Sequence, residues 1–313
     1  MPGVTTAART AAASLPNTPG VYRFRDERDR VLYIGRATEL RHRVGSYWTS
    51  LRGRRHLSRM VAQIVRVEAV ACDSVHEAAW LERNLLERSK PRWNRVRGGL
   101  EVPIYLRVDR RGAPRLVVDH GPFGADRGPD VFGPYLGGTK ARLAVAGLGR
   151  VLPLGYTDER LTGAARDMAR IRGVDAADRE TLLAATVAVL QRRPDAVDAV
   201  HRLLVEQRDR AAAGLAFELA ERIQQELEAI DWLVAEQKAT VPTDPDSDVY
   251  GWADGLLVRF EVRGGRLATW TQRACREADA RRHLDRTPEH WRPFAARSAE
   301  LSSRLSAAHH IAA

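Results

Sequence analysis

Cysteine is scarce in this 313-residue sequence, which contains only Cys72 and Cys275. Two cysteines so far apart provide neither a disulfide framework nor the close pair of a metal site, so both thiols are expected to be reduced and structural. The sequence also lacks the apolar run of about 18 residues that a membrane helix needs. Residues 4–15 lack the apolar core and cleavage pattern of a signal peptide. We therefore expect a globular cytoplasmic protein that makes no membrane contact.

Lysine is also rare, since only three of the fifty Lys and Arg residues are lysine. Arginine suits bidentate phosphate contacts, although a coding bias that also favours alanine would explain the preference equally well. Such a bias does not explain where the charge lies. Residues 1–100 contain 19 basic and 9 acidic residues, whereas residues 101–313 contain 31 of each. An excess of positive charge in the first third of the chain indicates a polyanionic partner such as nucleic acid.

The first hundred residues contain alternating strand and helix patterns. Short β-prone runs around a charged turn predict a hairpin, and Leu40, Val44 and Trp48 form the apolar stripe of an amphipathic helix. Ser74 and Glu77 match a capping box, in which each side chain caps the other residue's backbone amide. The predicted elements are strands 20–25 and 30–35, helices 37–48 and 56–64, a strand over 64–70 and a helix over 74–89.

The rest of the chain is predicted to be mainly helical, with short strands before and after the helices. Gly214 separates two helical patterns and so predicts a helical hairpin, while Pro and Asp residues predict a linker over 241–247 and Gly and Pro predict a turn-rich segment over 132–135. The predicted elements are strands 104–108 and 115–118, helices within 139–240 with hairpin arms 195–212 and 215–238, strands 249–252, 256–262 and 267–270, and a helical tail.

Several short motifs occur in a fixed order along the first 140 residues. They are GVY at 20–22, YIGRATELRHRVGSYW at 33–48, EAAWLERNLLE at 77–87, KPRWN at 90–94 and FGPYLG at 132–137. This set resembles the GIY-YIG nucleases, and residues 16–97 look most like the N-terminal nuclease domain of the UvrC and Cho-like excinucleases. The resemblance is strong over 16–97, moderate to residue 140 and weak beyond it. It implies an α+β fold with a small mixed β-sheet flanked by helices.

The resemblance also implies which residues carry out phosphodiester hydrolysis. The catalytic residues would be Tyr22, Tyr33, Arg43, Glu82 and Asn94. Glu82 would hold a single Mg²⁺ or Mn²⁺ ion, since such ions prefer oxygen ligands and keep much of their water shell. Arg43 would neutralise the phosphate through its fork of donors. One tyrosine, with a slight preference for Tyr33, would accept a proton from the attacking water, although tyrosine ordinarily titrates near pH ~10.

Each of these residues also has an ordinary structural explanation. Tyr22 and Tyr33 could form a cross-strand aromatic pair, Glu82 could be a solvated helix residue, and Asn94 could cap a turn rather than orient a loop or the water shell of a metal. A second basic set would follow a DNA backbone or form a solvated face, and the charge distribution favours DNA. This set is Arg36, which stands where relatives often carry lysine, with Arg41, His42, Arg52, Arg54, Arg55 and Arg59.

A further resemblance lies in AAAGLAFELAERIQQELEAI at 211–230, which is similar to the UVR motif through which UvrC binds UvrB. Phe217 and Glu218 stand where that motif carries its Phe-Glu pair, so the resemblance implies a partner-binding role for both. The alternative is an ordinary amphipathic hairpin that buries Leu215, Leu219 and Ile223.

Two absences limit what the resemblance implies. Residues 138–200 contain no cysteine, so no iron-sulfur cluster is expected. Residues 246–270 look like the start of a second, RNase H-like nuclease domain, but the 44 residues after Thr269 are too few to complete it. The expected organisation is a flexible segment over 1–15, a nuclease domain over 16–97, a connecting segment over 98–140, a helical region over 141–242 with a UVR-like hairpin at 195–240, and a remnant tail over 243–313.

The sequence therefore predicts a metal-dependent endonuclease that cuts one strand of damaged double-stranded DNA in nucleotide excision repair, with UvrB as a partner and UvrA acting upstream. A rival hypothesis is a catalytically idle DNA-binding or scaffold protein that recruits repair partners through the helical hairpin, although Glu82 and Arg43 count against it. A second rival is that the chain is the nuclease half of a larger polypeptide, with residues 5–19 as the interdomain linker.

Overall fold

The structure is a computed structural model that describes residues 2–49, 57–94, 98–120 and 128–311. Within these residues the chain forms eleven α-helices and three antiparallel sheets of three strands each, which confirms the α+β class. The chain divides into two compact units, one of Met1–Glu101 with Glu236–Ala313 and one of Val102–Ala235. None of the described helices combines the length and apolar character needed to cross a membrane.

The first sheet contains the predicted hairpin. Its strands are β1 (Gly20–Arg25), β2 (Val31–Ala37) and β3 (Arg66–Ala71), in the order β2-β1-β3. Both pairings are antiparallel, so the expectation of a mixed sheet was wrong in this respect. Strand β2 is an edge strand, so one side of its backbone has no strand partner in this sheet.

Four helices belong to the first part of this unit. They are α1 (Pro2–Ala13), α2 (Leu40–Thr49), α3 (Ser58–Val61) and α4 (Val75–Arg88). Helix α2 buries Leu40, Val44 and Tyr47, and the partly buried Trp48 packs against the same core, so the apolar stripe includes Tyr47 as well as Trp48. Helix α3 is shorter than the predicted helix over 56–64.

Helix α1 replaces the flexible segment that was expected over 1–15. Ala8, Ala11 and Leu15 are buried in the same hydrophobic core as Leu301 and Leu305. The alanine-rich start therefore offers a helix face small enough to pack closely against a second helix, which no local pattern reveals.

The N-terminus of α4 is anchored by two side chains. Ser74 Oγ accepts a hydrogen bond from the backbone amide of Glu77 at 3.0 Å, which confirms the first half of the predicted capping box. The Glu77 carboxylate instead accepts hydrogen bonds from the backbone amides of Asp73 and Lys238, each at 2.7 Å. The second half of the prediction was therefore wrong, because Glu77 joins α4 to a distant segment rather than capping Ser74.

The C-terminal part of the same unit contains the third sheet and two helices. The strands are β7 (Ser247–Ala253), β8 (Leu256–Arg263) and β9 (Arg266–Ala274), in the order β7-β8-β9, and the helices are α10 (Glu277–Leu284) and α11 (Arg292–Ile311). This agrees with the predicted strands and helical tail. Helix α11 packs against α1 and β3, and His309 Nε2 accepts a hydrogen bond from the Val67 amide at 3.1 Å.

A buried charge cluster connects the first and third sheets. Arg23 on β1 forms an ion pair with Glu68 on β3, and their side chains are only 6% and 1% exposed. The Arg23 guanidinium also lies 3.8 Å from the ring centroid of Trp270 and donates a hydrogen bond to the Trp270 carbonyl at 3.0 Å. Arg25 and Arg66 approach Glu68 at 3.0 and 2.9 Å. Asp29 also pairs with Arg25 and Arg66, so Glu68 and Asp29 together face three guanidinium groups.

The second unit combines a sheet with five helices. The strands are β4 (Ile104–Asp109), β5 (Arg115–Asp119) and β6 (Val131–Tyr135), and the helices are α5 (Gly138–Val151), α6 (Gly163–Arg172), α7 (Arg179–Leu190), α8 (Pro194–Ala213) and α9 (Phe217–Val234). Helices α8 and α9 form the predicted helical hairpin. Strand β6 was expected to be a turn-rich segment. Its glycine and proline are accommodated because β6 lies at the edge of the sheet, where one side needs no hydrogen-bond partner.

Candidate active site

Two of the predicted catalytic residues lie together on one face of the β1–β2 hairpin. Tyr22 pairs across the strands with Gly35, and Phe24 pairs with Tyr33, so the two tyrosines project from the same side. Their ring centroids are 6.2 Å apart. A Cβ atom at Gly35 would lie 2.6 Å from the Tyr22 hydroxyl oxygen and 2.7 Å from a Tyr33 ring carbon. Glycine at this position therefore provides the space in which both tyrosine rings lie.

A third tyrosine completes this cluster, and the sequence interpretation did not assign it a role. Tyr47 on α2 has its hydroxyl 2.9 Å from the hydroxyl of Tyr22, and its ring centroid lies 6.2 Å from that of Tyr33. The signal for Tyr47 was its position four residues after Arg43, which places both on one face of α2. The Arg43 guanidinium lies 5.8 Å from the Tyr47 ring centroid. The motif thus supplies three tyrosines and one arginine to a single cluster.

Burial controls the protonation of these tyrosines. Tyr22 is fully buried, and burial together with Tyr47 and Tyr33 raises its pKa well above the ordinary value, despite the opposing effect of Arg43. Burial, Tyr47 and the negative charge of Glu82 likewise raise the pKa of Tyr33, which is only partly buried. Both phenols are therefore protonated at neutral pH in the protein alone, and only Tyr33 remains in contact with solvent.

Arg43 is the cation that faces the tyrosine cluster. Burial acts to lower its pKa, but Tyr22, Tyr47 and Tyr33 together raise the pKa of Arg43 above its ordinary value. The guanidinium is half-buried and remains charged, so Arg43 provides fixed positive charge beside the three hydroxyl groups.

Glu82 lies on α4, where this helix packs against the edge strand β2. Its Oε2 atom is 3.3 Å from Nε of Arg36, and the two side chains are 21% and 51% exposed. Burial raises the pKa of Glu82, the guanidinium of Arg36 opposes that effect, and the charge of Glu101 adds to it, so the pKa is raised overall. The structure therefore brings Glu82 and Arg36 together beside strand β2, within electrostatic range of Tyr33 and Arg43.

The donors beside strand β2 suit a hydrated hard cation. Mg²⁺ and Mn²⁺ favour oxygen ligands, and Mg²⁺ often binds through one or two carboxylates while it retains several waters. Glu82 supplies one partly exposed carboxylate. In the described part of the chain, no group of three or more His, Cys, Asp or Glu side chains could enclose a metal ion. A single partly exposed carboxylate therefore fits a divalent cation that keeps several of its waters.

Asn94 positions the strand that carries Tyr33. Its Oδ1 accepts a hydrogen bond from the Ile34 amide at 3.0 Å, and its Nδ2 donates one to the Ile34 carbonyl at 2.7 Å. The side chain thus satisfies both backbone groups of an edge-strand residue next to Tyr33 and Gly35. Asn94 was expected to orient a loop or the water shell of a metal, or to cap a turn, and the contact that the structure contains is with strand β2.

The structure describes only some of the residues that were predicted to contact DNA. Arg36, Arg41, His42 and Arg59 are all exposed, and Arg41 also donates a hydrogen bond to the Leu15 carbonyl at 2.6 Å. Arg52, Arg54 and Arg55 lie outside the described residues. Phe217 and Glu218 belong to the second unit, at the tip of the helical hairpin, and both are exposed.

Comparison with known proteins relates this site to a family. Residues 18–95 match the family model described as a UvrC-like GIY-YIG domain. UvrABC system protein C of Mycobacterium tuberculosis is 31% identical over 285 residues, which cover 83% of this chain and 42% of the relative. The protein of the same name from Mycolicibacterium vanbaalenii is 32% identical over 285 residues, which cover 83% of this chain and 40% of the relative. This chain spans less than half the length of the curated relatives that it matches.

One solved structure matches the same region. The GIY-YIG N-terminal endonuclease domain of UvrC from Thermotoga maritima, bound to magnesium as its catalytic divalent cation, has 29% sequence identity to this chain. The match covers 28% of this chain and 94% of that domain, with a TM-score of 0.26.

Proposed function

Because residues 18–95 belong to the UvrC-like GIY-YIG domain family, we propose that this chain is a metal-dependent DNA endonuclease that cuts one strand beside a lesion in nucleotide excision repair. The observation that carries the proposal is the cluster of Tyr22, Tyr33 and Tyr47 around Arg43, next to the partly exposed carboxylate of Glu82. Hydrolysis of a phosphodiester needs a water, a proton acceptor and positive charge at the phosphate, and this cluster contains groups for each. Its substrate would be damaged double-stranded DNA in the cytoplasm.

Glu82 would hold a single Mg²⁺ or Mn²⁺ ion through its carboxylate. When bound, such a cation offsets negative charge on the scissile phosphate and lowers the pKa of a coordinated water. The position of Glu82 supports this role, since α4 is anchored by Ser74 and Glu77 and holds the partly exposed carboxylate beside strand β2. An ion at that position would lie within reach of a DNA backbone.

Arg43 would bind and neutralise the phosphate, and the buried tyrosines fix its position. Its guanidinium is half-buried against Tyr47 and keeps its proton, so it needs little reorganisation when the phosphate arrives. Arg36, Arg41, His42 and Arg59 would contact the DNA backbone farther from the cut, together with Arg52, Arg54 and Arg55.

Tyr33 is the preferred proton acceptor. A general base must reach the water that it deprotonates, and Tyr33 is partly exposed whereas Tyr22 is fully buried. Tyr22 would instead orient Tyr47 and Arg43. Asn94 would act as a positioning residue, since it holds the backbone of Ile34 beside Tyr33.

Separate phenylalanine substitutions test whether Tyr33 accepts the proton and Tyr22 only orients its neighbours. We expect Tyr33→Phe to slow DNA nicking by about a hundredfold, the scale of general base catalysis, and Tyr22→Phe to slow it less. Because the pKa of Tyr33 is raised, its deprotonated fraction grows about tenfold per pH unit near neutrality, so the wild-type rate should rise with pH and the Tyr33→Phe rate should not. Single-turnover nicking between about pH 6 and 9 measures both effects. Equal losses in the two variants would assign proton transfer to another group.

The direct test of the proposed function is nicking of a supercoiled plasmid by the purified chain. Damaged and undamaged plasmids are incubated with and without Mg²⁺, UvrA and UvrB, and the conversion to open circles is followed on a gel. The proposal requires nicking that depends on the metal and increases with damage. Nicking in EDTA would contradict the mechanism. DNA binding without nicking under every condition would favour the rival scaffold function.

The tip of the helical hairpin would bind UvrB. Leu215, Phe217 and Leu219 are 74%, 65% and 45% exposed, whereas Ile223 farther along α9 is buried. An ordinary amphipathic hairpin would bury the first two leucines, so three exposed apolar side chains around one turn favour a protein-binding tip. Glu218 lies between two of them and supplies a charge for orientation.

We therefore expect Phe217→Ala to weaken binding to purified UvrB by about thirtyfold, since an aromatic anchor at an interface typically contributes about 2 kcal/mol. Ile171→Ala is a matched control, because Ile171 is 76% exposed in the same unit but lies outside the hairpin. Isothermal titration calorimetry measures both affinities. Unchanged binding by the Phe217 variant, or an equal loss in the Ile171 variant, would remove the hairpin tip from the interface.

A further inference from the structure

Arg36 and Glu82 form an ion pair at the position where the cation would bind. The Nε atom of Arg36 lies 3.3 Å from Oε2 of Glu82. Arg36 is on the edge strand β2 and Glu82 is on α4, so the pair joins the two elements that border the site. The same carboxylate is thus the partner of a guanidinium and the candidate ligand of a divalent ion.

We propose that Arg36 is an exchangeable counter-ion, which Glu82 releases when the cation binds and which then binds the scissile phosphate. This inference rests on the proposed function, since it assigns the cation to Glu82. A guanidinium and a dication on one carboxylate repel each other strongly across a few ångströms of partly desolvated space. Arg43 adds further positive charge near Glu82. The site therefore accommodates both Arg36 and the ion only after a phosphate has brought compensating negative charge.

The geometry indicates that Arg36 is the partner that moves. Glu82 is 21% exposed on a fourteen-residue helix whose N-terminus is held by Ser74 and Glu77. Arg36 is 51% exposed on a long side chain, while its backbone stays paired with Val21. The guanidinium can therefore swing away from the carboxylate about a fixed Cα atom. Its planar fork of donors matches phosphate oxygens as well as it matches a carboxylate.

Arg43 lacks this freedom. It is half-buried beside the Tyr47 ring, and Tyr22, Tyr47 and Tyr33 all raise its pKa. Its position is therefore set before DNA binds. The two arginines have different tasks, since Arg43 is a fixed phosphate ligand and Arg36 transfers from the carboxylate to the phosphate.

The exchange couples metal binding to DNA binding. A phosphate that captures Arg36 leaves Glu82 free for the cation, and a cation on Glu82 leaves Arg36 free for the phosphate. Such coupling is reciprocal, so DNA raises the metal affinity by the same factor by which metal raises the DNA affinity. In the absence of DNA, Arg36 competes with the metal and weakens its binding.

Direct Mn²⁺ binding to the full chain without DNA tests the competition. Free Mn²⁺ is measured by electron paramagnetic resonance for the wild type, Arg36→Gln, Glu82→Gln and the control Arg28→Gln. Arg28 is exposed on the turn between β1 and β2, so its replacement removes the same charge away from Glu82. We expect Arg36→Gln to bind Mn²⁺ about threefold to tenfold more tightly than wild type, as loss of one partly exposed ion pair allows. Arg28→Gln should match wild type, and Glu82→Gln should lose the site.

A second titration adds a short DNA duplex of fixed sequence. The duplex should raise the Mn²⁺ affinity of the wild type more than that of Arg36→Gln. The difference between the two increases should equal the ratio of the two Mn²⁺ affinities measured without DNA. If Glu82→Gln loses Mn²⁺ binding but wild type and Arg36→Gln bind Mn²⁺ with equal affinity, the counter-ion exchange is overturned. The proposed nuclease function would then remain intact. Unchanged Mn²⁺ binding in Glu82→Gln would instead remove the cation from Glu82 and overturn both.

Discussion

Replacement of Glu82 with glutamine is expected to reduce DNA nicking by about a thousandfold. Metal ions contribute several kcal/mol of transition-state stabilisation, and each 1.36 kcal/mol changes a rate about tenfold. Glutamine keeps the size of the side chain but removes the charge that would hold the cation. Glu82 is also the only carboxylate among the described residues that forms an ion pair with Arg36. We therefore expect the loss in rate without a comparable loss in DNA binding.

Single-turnover plasmid nicking with saturating Mg²⁺ measures this effect. Glu39→Gln serves as the control, because Glu39 is exposed just before α2 and its replacement changes the net charge of the same unit equally. Circular dichroism and urea denaturation establish that both variants are folded. Nicking by Glu82→Gln within tenfold of the wild-type rate (an order of magnitude, about 1.4 kcal/mol) would mean that the cation binds elsewhere.

Replacement of Glu68 with glutamine is expected to lower the free energy of unfolding by about 3–5 kcal/mol, which is typical when one partner of a buried ion pair is removed. Arg23 would then remain buried without its carboxylate, while Arg25 and Arg66 would retain the exposed carboxylate of Asp29 as an ion-pair partner. Burial already lowers the pKa of Arg23 to about 10, even with Glu68 present. Gln272 on the third sheet also donates a hydrogen bond to Glu68 at 2.9 Å. The substitution should therefore weaken the contact between the first and third sheets as well.

The pH dependence of this effect has a definite sign. Burial raises the pKa of Glu68, but Arg23, Arg25 and Arg66 together lower it by more than burial raises it. The pKa of Glu68 in the folded protein therefore lies below the ordinary value. The stability that Glu68 provides is therefore present above the unfolded pKa of about 4.3 and lost as the pH falls through the folded pKa. Glu68→Gln should show no such loss.

Urea denaturation near neutral pH and in acid compares the two proteins. Glu27→Gln is the control, since Glu27 is exposed on the turn of the same hairpin. A Glu68 variant as stable as the Glu27 variant would show that the cluster contributes no net stability.

Local patterns predicted the elements that build the site. The hairpin, α2, α4 and the helical hairpin follow from short-range periodicity, turn residues and a capping serine, and the structure contains all of them. The residues Tyr22, Tyr33, Arg43, Glu82 and Asn94 were implied by the family resemblance and lie on or beside the β1–β2 hairpin. Their catalytic roles remain predictions that the substitutions above test.

The features that sequence reasoning missed depend on contacts between distant segments. Tyr47 was passed over because Trp48 fits the local stripe equally well, and only packing against Tyr22 distinguishes them. Glu77 caps Asp73 and Lys238 rather than Ser74, because the segment after α9 returns to the start of α4. Residues 1–15 were expected to be flexible, and the burial of Ala8, Ala11 and Leu15 becomes visible only with α11 in place.

The contact between α1 and α11 also has a consequence for protein synthesis. Leu301 and Leu305 belong to the same core as Tyr22 and Phe24, although more than half of the chain lies between them. A ribosome that adds roughly 5–20 residues per second needs about 10–40 seconds to pass from residue 97 to residue 305. Throughout that interval the nascent chain carries every motif of the nuclease domain but lacks part of the core beneath its tyrosines. The order of translation therefore delays completion of this core until residue 305 has been added.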